Sequence, residues 1–577
     1  MRNPEAPRLL GVYRRAVPER VRRAIVSQVD ADMRRKVKMR LASGTAAAER
    51  RRGDRLAKRY GAYTTGADRA VITVGKEPKV ALVTDGITPL RARRANLETV
   101  LAALAAAGVE HFAVRGQSDT ASAVAVRAED RATVLAALAE ACRTLPGYVA
   151  PLGAAGPTTR GSEPGFEPAT WQRLGSSPVL RLTWYHTDPT HQLTLGDTYG
   201  CDVEFWTLEE GELTAPRAGR IASVLPPSGE IVPVPEPYFT SLAPRATEGA
   251  PVVPARAETA VVPTDEVTFP IDVVYTWVDG ADPAWLRQRA AFSGEGYHAE
   301  AANAARYLSR DELRYSLRSL HLYAPWVRNI YLVTADQVPE WLDTDRPGIE
   351  VVSHKDVFRS PDLLPTFNSH AIESQLHHIE GLSEHFLYFN DDVMLGNEVT
   401  PGDFFHANGI TKFFPSPALV PLGERTVDDP PVAAAGKNNR RLIQERYGAV
   451  LVQKMKHMPH ALSRTVLTEI ETEFAAEYRH TEASRFRSID DISIASSLHH
   501  YYAFHTGRAV PSQLPYSYLD LTHPWTETRL GRLLAARDKT VFCVNDTVST
   551  EQEVGEQKDL ITPFLEAYFP VPSPYEK

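Results

Sequence analysis

A chain of 577 residues with a formal net charge of −8, 43% apolar and 24% charged, has the composition of a soluble globular protein of two to four domains. No stretch of 18 apolar residues occurs and no apolar h-region opens the chain, which argues against a transmembrane helix and a secretory signal. Three widely spaced cysteines, Cys142, Cys201 and Cys543, exclude a disulfide framework and a thiolate zinc site and fit a reducing cytoplasm.

The charge is unevenly spread. Residues 1–60 carry 18 Lys and Arg against 6 Asp and Glu, about +12, which leaves about −20 on the rest. Residues 8–42 read as mostly helical, interrupted at Pro18, with Val21, Ile25, Val29 and Met33 at successive i+4 positions. Such a basic amphipathic segment suits the inner face of a cell membrane, while Asp30 and Asp32 favour packing on the protein itself. No nucleic-acid partner is expected.

Residues 61–225 alternate strand and helix patterns: strands at 79–84, 111–115, 121–126 and 148–151, helices at 90–107 and 130–143, then strands at 179–184 and 202–206. The first six follow a βαββαβ order, the ferredoxin-like arrangement, and predict a small α+β accessory domain with no visible chemistry. Residues 226–270 hold ten prolines, so 226–265 reads as an extended linker.

From 266 to 570 the pattern predicts a mostly parallel sheet with helices on both faces, an α/β catalytic domain. Strands are expected at 271–278, 328–334, 349–353 and 386–389. Helices are expected from a capping box at Ser309–Glu312 through Leu322, at 369–379, and at 461–474. Two strands end in carboxylates: one in Asp279-Gly280, the other in Asn390-Asp391-Asp392. Open α/β sheets bind ligands beyond their strands' carboxyl ends, and paired carboxylates there suit Mg²⁺ or Mn²⁺ bridging to a diphosphate.

His457 and His460 flank a proline, and either could serve as a general base. Arg485 and Arg487 offer guanidinium forks for phosphate oxygens, unless they form a surface ion-pair cluster with Asp490 and Asp491. The strand at 541–544 ends in Asn545-Asp546, repeating the strand-then-Asn-Asp pattern. His370, Glu373 and His377 share one helical face, but the spacing is not HExxH, so Glu373 is read as facing substrate rather than zinc.

Several long motifs are familiar. IDVVYTWVDGADPAW (271–285), RYLSRDELRYSLRSLHLYAPWVRNIYLVTADQVPEWL (306–342) with LPTFNSHAIESQLHHIEGLSEHFLYFNDDVMLG (364–396), HMPHALSRTVLTEI (457–470) with RFRSIDD (485–491), and VFCVNDT (541–547) resemble, in order, the four signature regions of the Stealth family. The resemblance covers about 300 residues and stops at the proline-rich segment. It implies a fold similar to nucleotide-sugar (GT-A-like) glycosyltransferases and the activity of a sugar-1-phosphate transferase, as in bacterial capsule polymerases and the lysosomal-enzyme GlcNAc-1-phosphotransferase.

The resemblance further implies transfer of a hexose-1-phosphate, for example from UDP-GlcNAc, to a hydroxyl of a glycan acceptor, with release of UMP. In those terms Asp391, Asp392 and Asp546 would hold Mg²⁺, and Asp279 and Gly280 would sit beside the nucleotide sugar. Arg487 and Arg485 would neutralise phosphoryl charge, His457 or His460 would accept the hydroxyl proton, and Asn390, Glu373 and Asn545 would orient donor groups. Capsule or cell-wall exopolysaccharide synthesis is the expected setting. Two alternatives remain at this level: a metal-dependent glycosyltransferase releasing UDP, and a glycan-binding protein without catalysis.

Overall fold

The computed structural model describes residues 51–153, 156–157, 161–174, 176–292, 309–546 and 551–577. The helix expected over 8–42 lies outside them. The chain divides into two compact units, Met1–Leu82 and Val83–Lys577. In the first, residues 51–59 and Gly61–Thr64 are helical, and Arg69–Val74 pairs antiparallel with Glu77–Val83.

The second unit begins with an 11-stranded mixed sheet, counted among the described residues. The βαββαβ order is present along the chain, but the sheet is not the four-stranded ferredoxin one. Its expected first strand, Glu77–Val83, pairs with Arg69–Val74. The place it would take, between Ser122–Arg127 and Tyr148–Gly153, is filled by Cys201–Glu209 and Val179–Thr183. The first six residues of Cys201–Glu209 are all buried, which a strand needs when neighbours flank both its edges.

The expected linker is also structured. Ile231–Pro235 and Val252–Arg256 pair antiparallel, and Val252–Arg256 continues in parallel onto His111–Val114. Prolines are tolerated because Pro233 faces Pro254 across one rung and Pro235 lies two residues on, in the same phase of the ladder. The missing N–H donors thus fall where an antiparallel pair exchanges no hydrogen bonds. The boundary expected near 265 accordingly falls inside one compact unit.

The downstream sheet has strands β1 (Ile271–Thr276), β2 (Ile330–Thr334), β3 (Ile349–Ser353), β4 (His385–Asn390) and, beyond the short β5 (Val393–Leu395), β6 (His460–Ser463). Their order is β3-β2-β1-β4-β6, parallel throughout except for β6, which runs antiparallel to β4. Side chains alternate between two cores: Val273, Tyr275, Leu387 and Phe389 on one face, Val274, Tyr331, Phe386 and Tyr388 on the other. Burial on both faces explains the unbroken apolar run of β4.

Helices α1 (Glu312–Tyr323), α2 (Ser369–Ser374), α3 (Arg464–Glu473) and α4 (His499–His505) surround the sheet. The expected capping box does not form, since Asp311 at the N-cap has φ 66° and makes no side-chain cap. Glu312 instead accepts from the backbone N–H of Arg310 at 2.6 Å. The helix expected over 461–474 begins at Arg464, capped by Ser463, and its first residues belong to β6. A second small sheet sets β5 antiparallel to β8 (Val541–Asn545), with β7 (Tyr516–Asp520) parallel on the other side of β8.

Candidate active site

Strand order reverses at β1, whose neighbours β2 and β4 lie on either side, and at this switch point an open parallel sheet leaves a crevice. Thr276 and Asn390 stand in register at the ends of β1 and β4. A cavity of about 1290 Å³ opens there, lined by residues including both of these. Ligand pockets typically measure about 300–1,000 Å³, so this one has room for more than one reactant.

Asp391 and Asp392 form the turn between β4 and β5. The small sheet folds against that turn, with the Val544 N–H donating to the Asp392 carbonyl at 3.0 Å. Asn545 Nδ2 donates to Asp392 Oδ2 at 2.6 Å, and Tyr518 donates through its hydroxyl to Asn545 Oδ1 at 3.0 Å. His457 Nε2 lies 3.0 Å from Asp392 Oδ1 and 3.1 Å from the Asn390 amide nitrogen. Tyr516 anchors this loop by donating to the His457 carbonyl at 2.9 Å.

The electrostatics follow from this crowding. Withdrawal from water, with Glu312 and Asp392 close by, pushes the Asp391 carboxyl well above its ordinary range. Asp392 goes the other way: burial would raise it, but His457 and the hydrogen bonds from His457 and Asn545 hold it low. For His457, burial opposes protonation and the Asp392 carboxylate overrides it, so the imidazole is raised. Asp546 is paired with Arg310 Nη2 at 2.7 Å, and the same guanidinium reaches Glu312 and Gln557.

Across the cavity, Glu373 on α2 accepts from Ser496 Oγ at 2.8 Å. Ser496 sits in a single π-turn, Ile494–Leu498. Arg487 Nη2 donates to Ser369 Oγ at 2.8 Å, while its buried Nη1 has no partner among the described residues. Asn390, Asp391, Asp392, His457, Glu373, Arg487, Asn545 and Asp546 thus line one cavity.

Four other expected residues do not line it. The Asp279 carboxylate is spent within its own turn, accepting from the Ala281 N–H at 2.9 Å, with Gly280 buried beside it. The wall is made instead by Thr276, Trp277 and Val278. Arg485 donates to the carbonyls of Pro365 and Asp362 and braces that loop. His460 is buried, with Nδ1 2.9 Å from His500 Nε2, and burial beside His500 and His457 keeps it neutral. His370, Glu373 and His377 do not converge either, because α2 ends at Ser374.

Arg310, Glu312, Tyr516, Tyr518, Lys454 and Lys456 were not apparent from sequence as site residues. The lysines carried a signal, since alternate positions just before His457 point to one side of an extended chain. Arg310 and Glu312 carried one that reads more simply as a helix cap.

Oxygen donors from Asp391 and Asp392 could hold a hard divalent cation here. Glu312 and Asp392 crowd the Asp391 carboxyl, and a cation among these oxygens would offset that like-charge repulsion. Cys543 Sγ also lies within 4.8 Å of Asp392 and His457 donor atoms, but burial and Asp392 push its thiol far up, so no soft thiolate competes.

Stealth protein conserved regions 1, 2, 3 and 4 match residues 269–297, 306–413, 456–504 and 531–577. Two exopolysaccharide phosphotransferases of Streptomyces coelicolor (strain ATCC BAA-471 / A3(2) / M145) are similar along the whole chain. One is 56% identical over 598 residues, covering 100% of this chain and 99% of its own length. The other is 48% identical over 578 residues, covering 100% and 98%. Among solved structures, galactosyltransferase LgtC aligns with 51% of this chain and 96% of its own at 10% identity and a TM-score of 0.26. On the strength of its four conserved regions and its full-length relatives, the chain belongs to the Stealth family of phosphotransferases.

Proposed function

We propose that this chain transfers a sugar-1-phosphate from a nucleoside-diphosphate sugar, a UDP-hexose in the first instance, to a hydroxyl of a glycan acceptor in exopolysaccharide synthesis. The observation that carries the reading is the placement of His457, bonded to Asp392 and open to a cavity at the sheet's switch point. The names of the two full-length relatives supply the exopolysaccharide setting.

In this reading the acceptor oxygen attacks the phosphorus next to the sugar, a phosphodiester forms, and the bond within the diphosphate breaks to release UMP. Such transfer depends on positioning and charge neutralisation more than on covalent help. With Nε2–H directed at Asp392, the ring lone pair of His457 is on Nδ1, and that atom takes the hydroxyl proton. Asp392 stabilises the imidazolium that results. Arg487, with Nη1 unpartnered, neutralises charge on the transferred phosphoryl oxygens. Asn390, Asn545 and Glu373 hold donor groups in place. Mg²⁺ or Mn²⁺, held by Asp391 and Asp392 and by Asp546 once freed from Arg310, would neutralise the diphosphate.

Nucleotide release from a panel of UDP- and GDP-sugars, with Mg²⁺ and with EDTA, tests the reading. Metal-dependent UMP from one donor is expected in the presence of acceptor glycan. UDP instead would make the enzyme a glycosyltransferase and overturn it.

A further inference from the structure

Outside the cavity, two imidazoles and a carboxylate meet between elements the mechanism does not use. His377 and His378 end the 3₁₀ turn Leu376–His378 that follows α2, and Glu471 lies on α3. The Nε2 atoms of His377 and His378 stand 2.8 and 3.1 Å from the same oxygen, Glu471 Oε2, with all three donor atoms within 4.8 Å of one another. Zinc ligands at about 2.0–2.1 Å in a tetrahedron stand about 3.3 Å apart. Little movement separates the two arrangements.

The tautomer of a neutral His378 is set from behind. Its Nδ1 lies 3.1 Å from the Val357 carbonyl oxygen, which can only accept, so Nδ1 carries a proton and, in the neutral ring, Nε2 turns a lone pair toward Glu471. Without a proton on Nε2, the two acceptors at 3.1 Å are eased by a neighbouring cation. Arg359 now provides it, with Nη1 2.7 Å from Glu471 Oε1 and Nη2 3.0 Å from His378 Nε2. That side chain is 67% exposed on a flexible stem, whereas the His377 side chain is 3% exposed.

We propose that His377, His378 and Glu471 form a second metal site, selective for Zn²⁺, in which Arg359 fills the place of the ion until it binds. Two neutral imidazoles and one carboxylate are zinc donors, and the position toward Arg359 and solvent supplies the fourth ligand as water. Glu471 binds through Oε2 and keeps its Arg359 partner on Oε1, while Arg359 releases His378. The ion clips the turn after α2 to α3. It stiffens the segment that brings His370 and Glu373 to the cavity and takes no part in phosphoryl transfer.

Titration of the full-length protein with Zn²⁺ against a chromophoric chelator, alongside thermal unfolding, tests this. One tight equivalent that raises Tm is expected. His378→Ala and Glu471→Gln each weaken it roughly 10-fold or more, by the scale on which disturbed metal sites lose affinity. Asp392→Asn, which alters the cavity, leaves it in place. Arg359→Ala tightens binding because a competing cation is gone, an outcome a mere hydrogen-bond network does not give. Zinc uptake that survives His378→Ala and vanishes in Asp392→Asn would assign the ion to the cavity and overturn the proposal. No uptake by either the unaltered chain or Arg359→Ala would overturn it as well.

Discussion

His457 is a third exposed to the cavity and shares Nε2 with Asp392, whereas His460, three residues on, passes Nδ1 to His500 inside the core. His457→Ala is therefore expected to lower transfer about 10²–10⁴-fold with Tm nearly unchanged. His460→Ala is expected to lower Tm while the folded fraction keeps its turnover; kinetics and calorimetry on the pair separate the roles. Arg310→Met strands two carboxylates, Asp546 and Glu312, that now share its charge. Breaking one side of a buried ion cluster costs about 3–5 kcal/mol, readable as a lower denaturation midpoint. At this scale Asn390-Asp391-Asp392 was legible in the sequence, because a buried strand ending in polar residues is a local signal. The choice between histidines was not, since it rests on His500, forty residues away. Nor was Arg310 with Asp546, a contact spanning 236 positions.

Elements were legible where burial pattern and length agree. The strands of the parallel sheet match the expected ranges to within about two residues at either end, as does α1 apart from its cap. Where the reading failed, a neighbour outvoted local composition. Proline content at 226–265 suggested a linker, but paired prolines in one phase of an antiparallel ladder leave the remaining donors free to bond. Limited proteolysis checks this, with cleavage expected to spare Ile231–Pro235 and Val252–Arg256 under native conditions. Early cutting within those strands would show that they do not hold. β6 was read as helix because HALS is short and the helix following it is strong.

Across the whole second unit, one hydrophobic cluster takes in Ile87, Leu193 and Tyr199 of the accessory part with Tyr323, Phe404 and Phe569 of the catalytic part. The Tyr199 hydroxyl donates to Glu398 at the same seam. Both sheets are therefore expected to melt in one transition by calorimetry; two separated transitions would contradict a shared core. Acid should be the weak side of this unit. Burial lowers His354 and His186 to about 4 and His499 to about 3, against about 6.5 when unfolded. The unfolded chain then binds more protons below about 6.5. Stability is complete above that pH and falls toward pH 3–4, by about 1.4 kcal/mol per pH unit for each such group. Denaturant midpoints measured from pH 7 to 4 check the slope. No helix among the described residues is long and apolar enough to cross a membrane.

β6 runs against the four strands beside it, with Tyr388 opposite His460 and His385 opposite Ser463. A strand travelling this way meets the ligand-binding rim on its way in, so the imidazole of His457 is delivered by an arriving loop rather than a departing one. Its reach is then a matter of counting: Met458 and Pro459 are the whole tether between base and sheet. One residue inserted there would shift His457 by up to about 3.3 Å from its seat beside Asn390 and Asp392. Spacing in HMPH, more than the identity of its middle residues, sets where the proton acceptor arrives.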